Sequence, residues 1–380
     1  MRKEDNLNQP EKRIIISGGG TGGHVFPALA IAEALMQLDN KVKLLFVGAN
    51  GKIEMQKVPA AGFQIEGLDI RGLQRSLSWE NLKFPFRLIK SILRSKAIIK
   101  SFKPEVAVGV GGYASGPLLF VAATQGIPCL IQEQNSYPGI TNKLLAKKAA
   151  RICVAYEGMN RFFPKDHIYL TGNPVRKSIT DNKILKAQAL EHFGFTAASP
   201  VLLVLGGSLG AGTLNESVFS QMEKLASENI QLIWQTGPRY FQSILNRVGQ
   251  IPTSMRIVEF IVEMEMAYAA ADVIISRAGA GTISELAFTD KAVILVPSPN
   301  VAEDHQTRNA EALVSTQAAL MVSDREAIEK LIPLALKLLK DGPKRATLGV
   351  ELARHAFPNA ASDIARQILN LIKDNQGDEA

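Results

Sequence analysis

What the chain lacks narrows its class before any motif is read. Its 380 residues include two cysteines, Cys129 and Cys153, both inside apolar segments, which argues against a disulfide framework or a cysteine-based metal site. No run of eighteen or more apolar residues occurs, so no segment is long enough to cross a bilayer as a helix. Met1–Lys12 is polar and charged rather than a basic stub leading into an apolar stretch, so no secretory leader is expected and the chain is placed in the cytosol. Asp-x-Asp is absent, and the five histidines, at 24, 167, 192, 305 and 355, show no ligand spacing, so neither a metal nor another cofactor is expected. A Lys/Arg-rich tail, zinc-finger spacing and basic strands interleaved with aromatics are missing too, which argues against nucleic acid as a partner.

What is present is an ordinary folded composition, 46% hydrophobic and 21% charged, at a length that suits two domains. Lys and Arg exceed Asp and Glu, 43 to 36, and the net charge of +7 favours an anionic partner: a phospholipid or a phosphorylated substrate.

Short apolar runs alternate with helical patterns along the whole chain. Arg13–Ser17 reads as a strand that meets a glycine cluster at 18–23, followed by a helix over Pro27–Leu38. Strands follow at Val42–Val47, Val106–Val110 and Cys129–Gln132, with helices at Gly116–Gln125 and Ile140–Lys148. After Gly172–Pro174 the pattern restarts. Val201–Leu205 runs into Gly206–Gly212 and a helix from about Thr213 to Leu225, and strands are expected at Gln231–Gln235, Arg256–Val258, Val273–Ser276, Val293–Val296 and Ala319–Val322. A last helix is expected over about Ala360–Lys373. This is an α/β protein with two Rossmann-like parallel-sheet domains in tandem, facing a central cleft. The divisions are 1–172, 173–356 and a terminal helical segment 357–380 that returns to the first domain.

Chemistry concentrates in the loops that follow strands. Gly18-Gly19-Gly20-Thr21-Gly22-Gly23-His24 lies between a strand and a helix, where glycine lets the backbone approach a ligand and the helix start offers unpaired N–H groups to a phosphate. Gly206-Gly207-Ser208-Leu209-Gly210-Ala211-Gly212 repeats the arrangement with a hydroxyl donor. One such loop is weak evidence, since tight packing alone can call for it; two point to a diphosphate. Neither ends in the Lys-Ser/Thr of a nucleoside-triphosphatase loop, and the second strand ends in Gly48-Ala49-Asn50, without the acid that a dinucleotide ribose requires.

A third strand-to-helix loop, Ser276-Arg277-Ala278-Gly279-Ala280-Gly281-Thr282-Ile283-Ser284-Glu285, places a carboxylate in the first turns of a helix. Glu285 either accepts ribose hydroxyls or merely complements the helix dipole. Asp304-His305-Gln306 follows the next strand. His24 is either a general base on an acceptor hydroxyl or a residue that bonds its own loop, with Tyr113 and Glu133 as weaker candidates.

The stretch from Arg71 to Lys103 differs in character. Leu82, Phe86, Ile89 and Leu93 recur at helical spacing, and Lys83, Arg87, Lys90 and Arg94 follow one residue on, giving an apolar stripe beside a basic band. Upstream, Leu73, Leu77 and Trp79 with Arg71 and Arg75 enlarge it, and Lys143, Lys147 and Lys148 are candidates to extend it. Two readings stand: a surface for anionic lipid headgroups with shallow insertion, or a core-facing stripe with a solvated basic side.

Taken in order, Gly19–Pro27, Gly111-Gly112-Tyr113-Ala114-Ser115-Gly116-Pro117, Glu133-Gln134-Asn135, Gly172-Asn173-Pro174-Val175-Arg176, the Gly206–Ala211 loop and Ala280–Glu285 resemble one family. It is that of the undecaprenyl-diphospho-muramoylpentapeptide β-N-acetylglucosaminyltransferases, of the two-domain GT-B fold, and the resemblance spans nearly the whole chain. It implies an inverting, metal-independent transfer from UDP-N-acetylglucosamine to the 4-hydroxyl of a lipid-linked muramyl-pentapeptide. It also implies work at the cytoplasmic face of the inner membrane, where a peripheral protein docks on anionic phospholipid.

By the same resemblance Ile261 holds uracil through its backbone, Glu285 the ribose, and Ser208 and Arg176 the diphosphate. Asn135, Ala280, Gly281, Thr282 and Gln306 contact the sugar, with Ile283 and Ser284 in the same block. Thr21, Gly22, Gly23 and His24 face the acceptor, near Tyr113. Three positions depart from the pattern: Leu209 stands where Gln is expected, Gly281 where a larger residue occurs, and His305 before Gln306 where some members carry Gln twice. The same fold and nucleotide sugar also serve UDP-N-acetylglucosamine 2-epimerases. A glycolipid synthase acting on diacylglycerol would share the transferase fold, and a non-catalytic, membrane-docked nucleotide-sugar sensor would use the same binding loops without turnover.

Overall fold

The computed structural model describes residues 11–71, 84–181 and 183–377. Arg75, Leu82 and Lys83, with Leu73, Leu77 and Trp79, lie outside the described residues. The chain divides into two compact units, one formed by residues 1–174 with 359–380 and the other by 175–358.

The first unit is built on seven parallel strands: β1 (Lys12–Ser17), β2 (Val42–Ala49), β3 (Ile65–Leu68), β4 (Val106–Gly109), β5 (Cys129–Glu133), β6 (Arg151–Val154) and β7 (Ile168–Leu170). Their order across the sheet is β3-β2-β1-β4-β5-β6-β7. The central strand is read from sequence most easily, because helices cover both faces of a parallel sheet and its residues are apolar without alternation. Ile14, Ile15 and Ile16 are fully buried, each contributing roughly 1.5–3 kcal/mol of burial. β3, β6 and β7 escape the sequence reading: they are three or four residues long, and Glu66 and Gly67 in β3 or Arg151 in β6 break the apolar run.

The second unit repeats the plan with β8 (Val201–Leu205), β9 (Gln231–Gln235), β10 (Met255–Val258), β11 (Val273–Ser276), β12 (Ala292–Leu295) and β13 (Leu320–Met321). The order is β10-β9-β8-β11-β12-β13, again parallel throughout. Trp234 is wholly buried at its centre, and its indole N–H donates to Asn215 Oδ1 at 2.9 Å.

In each sheet the strand order reverses direction once, between β1 and β4 and between β8 and β11. Crossovers leave the sheet on opposite faces at such a point, opening a crevice at the carboxyl ends of the two strands. The loops that the sequence marks as chemical follow these four strands: Gly18–Gly23 after β1, Gly111–Gly116 after β4, Gly206–Gly212 after β8 and Arg277–Gly279 after β11.

The first helix spans Gly22–Leu38, beginning before Pro27 rather than at it. Pro27 lies near enough to the start that its missing N–H removes a single intrahelical bond. The helix expected over residues 213–225 is two helices, Gly212–Phe219 and Met222–Ser227. The final helix, Ala360–Gly377, packs on Gly22–Leu38 within the first unit and buries Ile364, Ala365, Ile368, Leu371 and Ile372. Among the described residues no helix is long and apolar enough to cross a membrane.

Candidate active site

In the first unit the loops after β1 and β4 interlock. Gly19 N–H donates to Gly111 O at 3.3 Å, and a Cβ on Gly112 would lie 2.3 Å from Gly19 O, so only glycine permits this approach. Gly20, Gly111 and Gly112 have φ of +87°, +92° and +88°, which L side chains rarely adopt. Thr21 is the extended residue preceding the helix, and Gly22 and Gly23 open it, so their amides belong to the first turn, where no intrahelical acceptor exists.

His24 follows in that first turn. Its Nδ1 lies 3.1 Å from Gly19 O and 3.2 Å from Thr21 Oγ1. A carbonyl only accepts, so Nδ1 carries the proton in this contact and Nε2 is the basic nitrogen of the neutral ring. His24 therefore bonds its own loop through Nδ1. Tyr113, in the loop after β4, is 48% exposed.

Glu133, at the end of β5, is buried and accepts four bonds: from Asn135 N (2.9 Å) and Nδ2 (3.2 Å), Gly139 N (3.1 Å) and Asn142 Nδ2 (2.8 Å). Burial pushes its carboxyl above the usual carboxylate range, against the pull of these donors. A carboxylate so fully engaged holds Asn135 in place. Beyond it, Gln132 Nε2 donates to Asn173 Oδ1 at 2.9 Å, tying the Gly172-Asn173-Pro174 block to β5.

The second unit carries the remaining candidates. Ser208 is exposed in a loop whose Gly207 and Gly210 have φ of +80° and +82°. Gly210 packs so closely on the loop after β9 that a Cβ would lie 2.1 Å from Thr236 O. Ala280, Gly281 and Thr282 form the first turn of the helix Ala280–Leu286, and Glu285 projects from the next. Ile283 faces the core, and Ser284 Oγ returns to Ala280 O at 3.0 Å. Gln306 Oε1 accepts from Ser298 N at 2.9 Å, which fixes the loop after β12.

Glu285 and Arg176 are paired: Arg176 Nε and Nη2 donate to Glu285 Oε1 at 3.0 and 2.8 Å. Tyr268 OH donates to Oε2 at 3.2 Å. Burial first, and the Glu285 charge second, push the Tyr268 phenol well above its usual value, so it remains a donor. Sequence reasoning missed Tyr268, and it missed Gln235. Gln235 is buried at the end of β9, where its Nε2 donates to Gly207 O (3.0 Å) and its Oε1 accepts from Ile261 N (2.9 Å). One amide thus joins the glycine loop to the Ile261 backbone.

Of the lipid-facing candidates among the described residues, Arg71 is exposed outside any helix, and Phe86, Arg87, Ile89, Lys90, Leu93 and Arg94 lie on the helix Phe84–Phe102. Phe86, Ile89 and Leu93 are 76%, 57% and 63% exposed, while Ser91, Ser95, Ile98 and Ile99 face the core. The core-facing reading of the stripe is therefore wrong. Lys90 pairs with Asp69 at 3.6 Å and Arg94 with Glu66 at 2.7 Å, both at the surface, and Arg87 is half-buried. Ile140 and Leu144, on the separate helix Ile140–Leu145 that also carries Lys143, are exposed too.

Residues 14–154 match the glycosyltransferase family 28 N-terminal domain and residues 201–364 its C-terminal domain. A Bacteroides fragilis protein described as UDP-N-acetylglucosamine--N-acetylmuramyl-(pentapeptide) pyrophosphoryl-undecaprenol N-acetylglucosamine transferase is 49% identical, over 99% of this chain and 100% of its own. One from Cytophaga hutchinsonii, with the same description, is 51% identical over 97% of this chain and 99% of its own. The crystal structure of Acinetobacter baumannii MurG superposes with a TM-score of 0.75 at 29% identity, covering 95% of this chain and all of the other. A Neisseria meningitidis UDP-GlcNAc 2-epimerase bound to UDP-GlcNAc superposes at 0.66 with 15% identity, over 94% of this chain and all of the other, a likeness of fold alone.

Proposed function

The chain belongs to glycosyltransferase family 28, and we propose that it transfers N-acetylglucosamine from UDP-N-acetylglucosamine to a lipid-linked muramyl-pentapeptide, as its near-full-length relatives are described to do. The reaction is an inverting displacement. The acceptor 4-hydroxyl oxygen forms a bond to the sugar C1, the C1–O bond to UDP breaks, and the hydroxyl proton goes to a base. The observation that carries this reading is identity of about half over essentially complete chains, joined to glycine loops at the crevice-forming ends of both sheets.

The first unit takes the acceptor. Its anionic diphosphate suits the first-turn amides of Gly22 and Gly23 with the Thr21 hydroxyl, and His24 Nε2 takes the proton from the reacting hydroxyl. The second unit takes the donor. The Ile261 carbonyl meets uracil and Glu285 the ribose. Ser208, Arg176 and the helix start at Ala280–Thr282 offset the charge that builds on the departing diphosphate. Asn135 and Gln306 fall to the sugar, with Gly281, Ile283 and Ser284 shaping the same turn.

The acceptor is held in a bilayer, and the exposed stripe Phe86, Ile89 and Leu93 beside Arg71, Arg87, Lys90 and Arg94 supports peripheral docking on anionic phospholipid at the cytoplasmic face. The ion pairs of Lys90 and Arg94 are exposed and weak, so headgroup phosphates can replace Asp69 and Glu66.

UDP release tests the reaction. With purified protein, UDP-N-acetylglucosamine and a short-chain lipid-linked muramyl-pentapeptide, UDP is expected to appear only when all three are present, and to persist with a chelator. Release that ignores the lipid acceptor would count against the transfer.

A further inference from the structure

Among the described residues the buried acidic side chains are Glu133 and Glu54, and the chemistry described so far leaves Glu54 without a role. It opens the short helix Glu54–Ala60, and its carboxylate is fully buried beneath the loop after β1. A charge held there needs partners. It has two: Ala49 N–H, at the end of β2, donates to Oε1 at 2.9 Å, and Gly20 N–H donates to Oε2 at 2.9 Å. Two glycines make room for it. A Cβ on Gly19 would lie 2.2 Å from the Glu54 carboxyl carbon, and one on Gly48 would lie 2.5 Å from its Cγ.

Gly20 N–H and Gly19 C=O belong to one peptide plane. Glu54 bonds the N–H edge of that plane, and His24 Nδ1 bonds its C=O edge at 3.1 Å. A peptide whose N–H is bound to a carboxylate is polarised toward its oxygen, which makes that oxygen a stronger acceptor. Rotation of the plane, which glycine at 19 and 20 would otherwise permit, would break both bonds at once. We infer that Glu54 is a positioning residue for the transfer, acting through the Gly19–Gly20 peptide to hold His24 in the tautomer and orientation that leave Nε2 basic.

The inference rests on the assignment of His24 as the base, and a double-mutant cycle separates the two. Glu54→Gln keeps the shape but replaces one acceptor oxygen with a donor, so one of the two N–H groups loses its partner. In the wild-type background its kcat is expected to fall on the order of tenfold, the loss of one charge-assisted hydrogen bond, while the donor KM stays within about twofold. In a His24→Ala background the same substitution should lower kcat by less than about threefold, because the group it positions is gone. Thermal melting establishes that each variant is folded. Should Glu54→Gln not fold, Glu54→Asp, which keeps the charge on a shorter arm, takes its place with the same expected pattern. Equal loss of kcat in both backgrounds would overturn the positioning role and leave His24 untouched. A His24→Ala variant that retains full kcat would instead remove the base assignment itself.

Discussion

At the scale of single residues, the donor side turns on how many bonds one carboxylate can accept. Glu285 offers about four lone-pair positions, and three are engaged: two by Arg176 and one by Tyr268. Accepting both ribose hydroxyls therefore displaces at least one of these bonds, and for Arg176 the leaving diphosphate is an anion that can receive the guanidinium. Arg176→Ala should then weaken UDP binding, by roughly tenfold for a lost charge-assisted contact, while uridine binds at least as well as to the unaltered protein. Calorimetry with the two ligands checks this; a parallel loss for uridine would place Arg176 on the nucleoside instead. His24→Ala should lower kcat by about a hundredfold or more with little change in donor KM, as expected for a lost general base. Steady-state kinetics at saturating acceptor separates these terms.

Of the residues that touch substrate in this account, Thr21–His24, Ser208 and Ala280–Glu285 were legible in the sequence because they lie in short glycine-bearing motifs, whereas Ile261, Asn135 and Gln306 came only from the family resemblance. The residues that hold them were not legible. Glu54 reaches Gly20 across 34 positions, Gln235 reaches Ile261 across 26, and Tyr268 reaches Glu285 across 17, separations at which only the fold makes neighbours.

Among the elements, the helix Phe84–Phe102 shows what periodicity can and cannot tell. Its 3.6-residue spacing announces a helix, but apolar side chains occur on two of its faces. Leu88, Ile92, Ile98 and Ile99 pack into the core, while Phe86, Ile89 and Leu93 face solvent. Which stripe is inside depends on the sheet below, information that a single segment does not carry. Replacing Phe86, Ile89 and Leu93 together with serine should change folding stability by no more than about 0.5 kcal/mol per site, as at other exposed positions. The same variant should lose most of its binding to vesicles containing anionic phospholipid. Flotation assays read the second effect and urea unfolding the first. A stable variant that still floats with the vesicles would exclude this stripe as the docking surface.

Across the whole molecule, the alternation of strands and helices foretold two parallel α/β units, and β1, β5, β8, β9 and β11 fall within a residue of their expected limits, while β2 runs two residues further than expected, to Ala49. Of the short strands in the first unit, β3, β6 and β7 did not show, since three or four residues, with Glu66 and Gly67 in β3 and Arg151 in β6, leave no apolar run of any length. The return of the final helix to the first unit is a tertiary event. Ile364, Ile368 and Ile372 recur at helical spacing, and their burial against Gly22–Leu38 is what closes that unit's core. Ile368→Ala should cost about 2–5 kcal/mol, the range for emptying a buried aliphatic position. Because the two units have separate cores, this loss should lower the unfolding transition of the first unit and spare the second, which calorimetry would resolve.

The central claim is tested most directly by following the sugar itself. Labelled N-acetylglucosamine supplied as UDP-N-acetylglucosamine, with lipid-linked muramyl-pentapeptide as acceptor, should appear on the lipid in amounts equal to the UDP released, with UDP-glucose a poor donor. Label that stays with the nucleotide, or that returns as an epimerised UDP-sugar while the lipid remains unmodified, would contradict it.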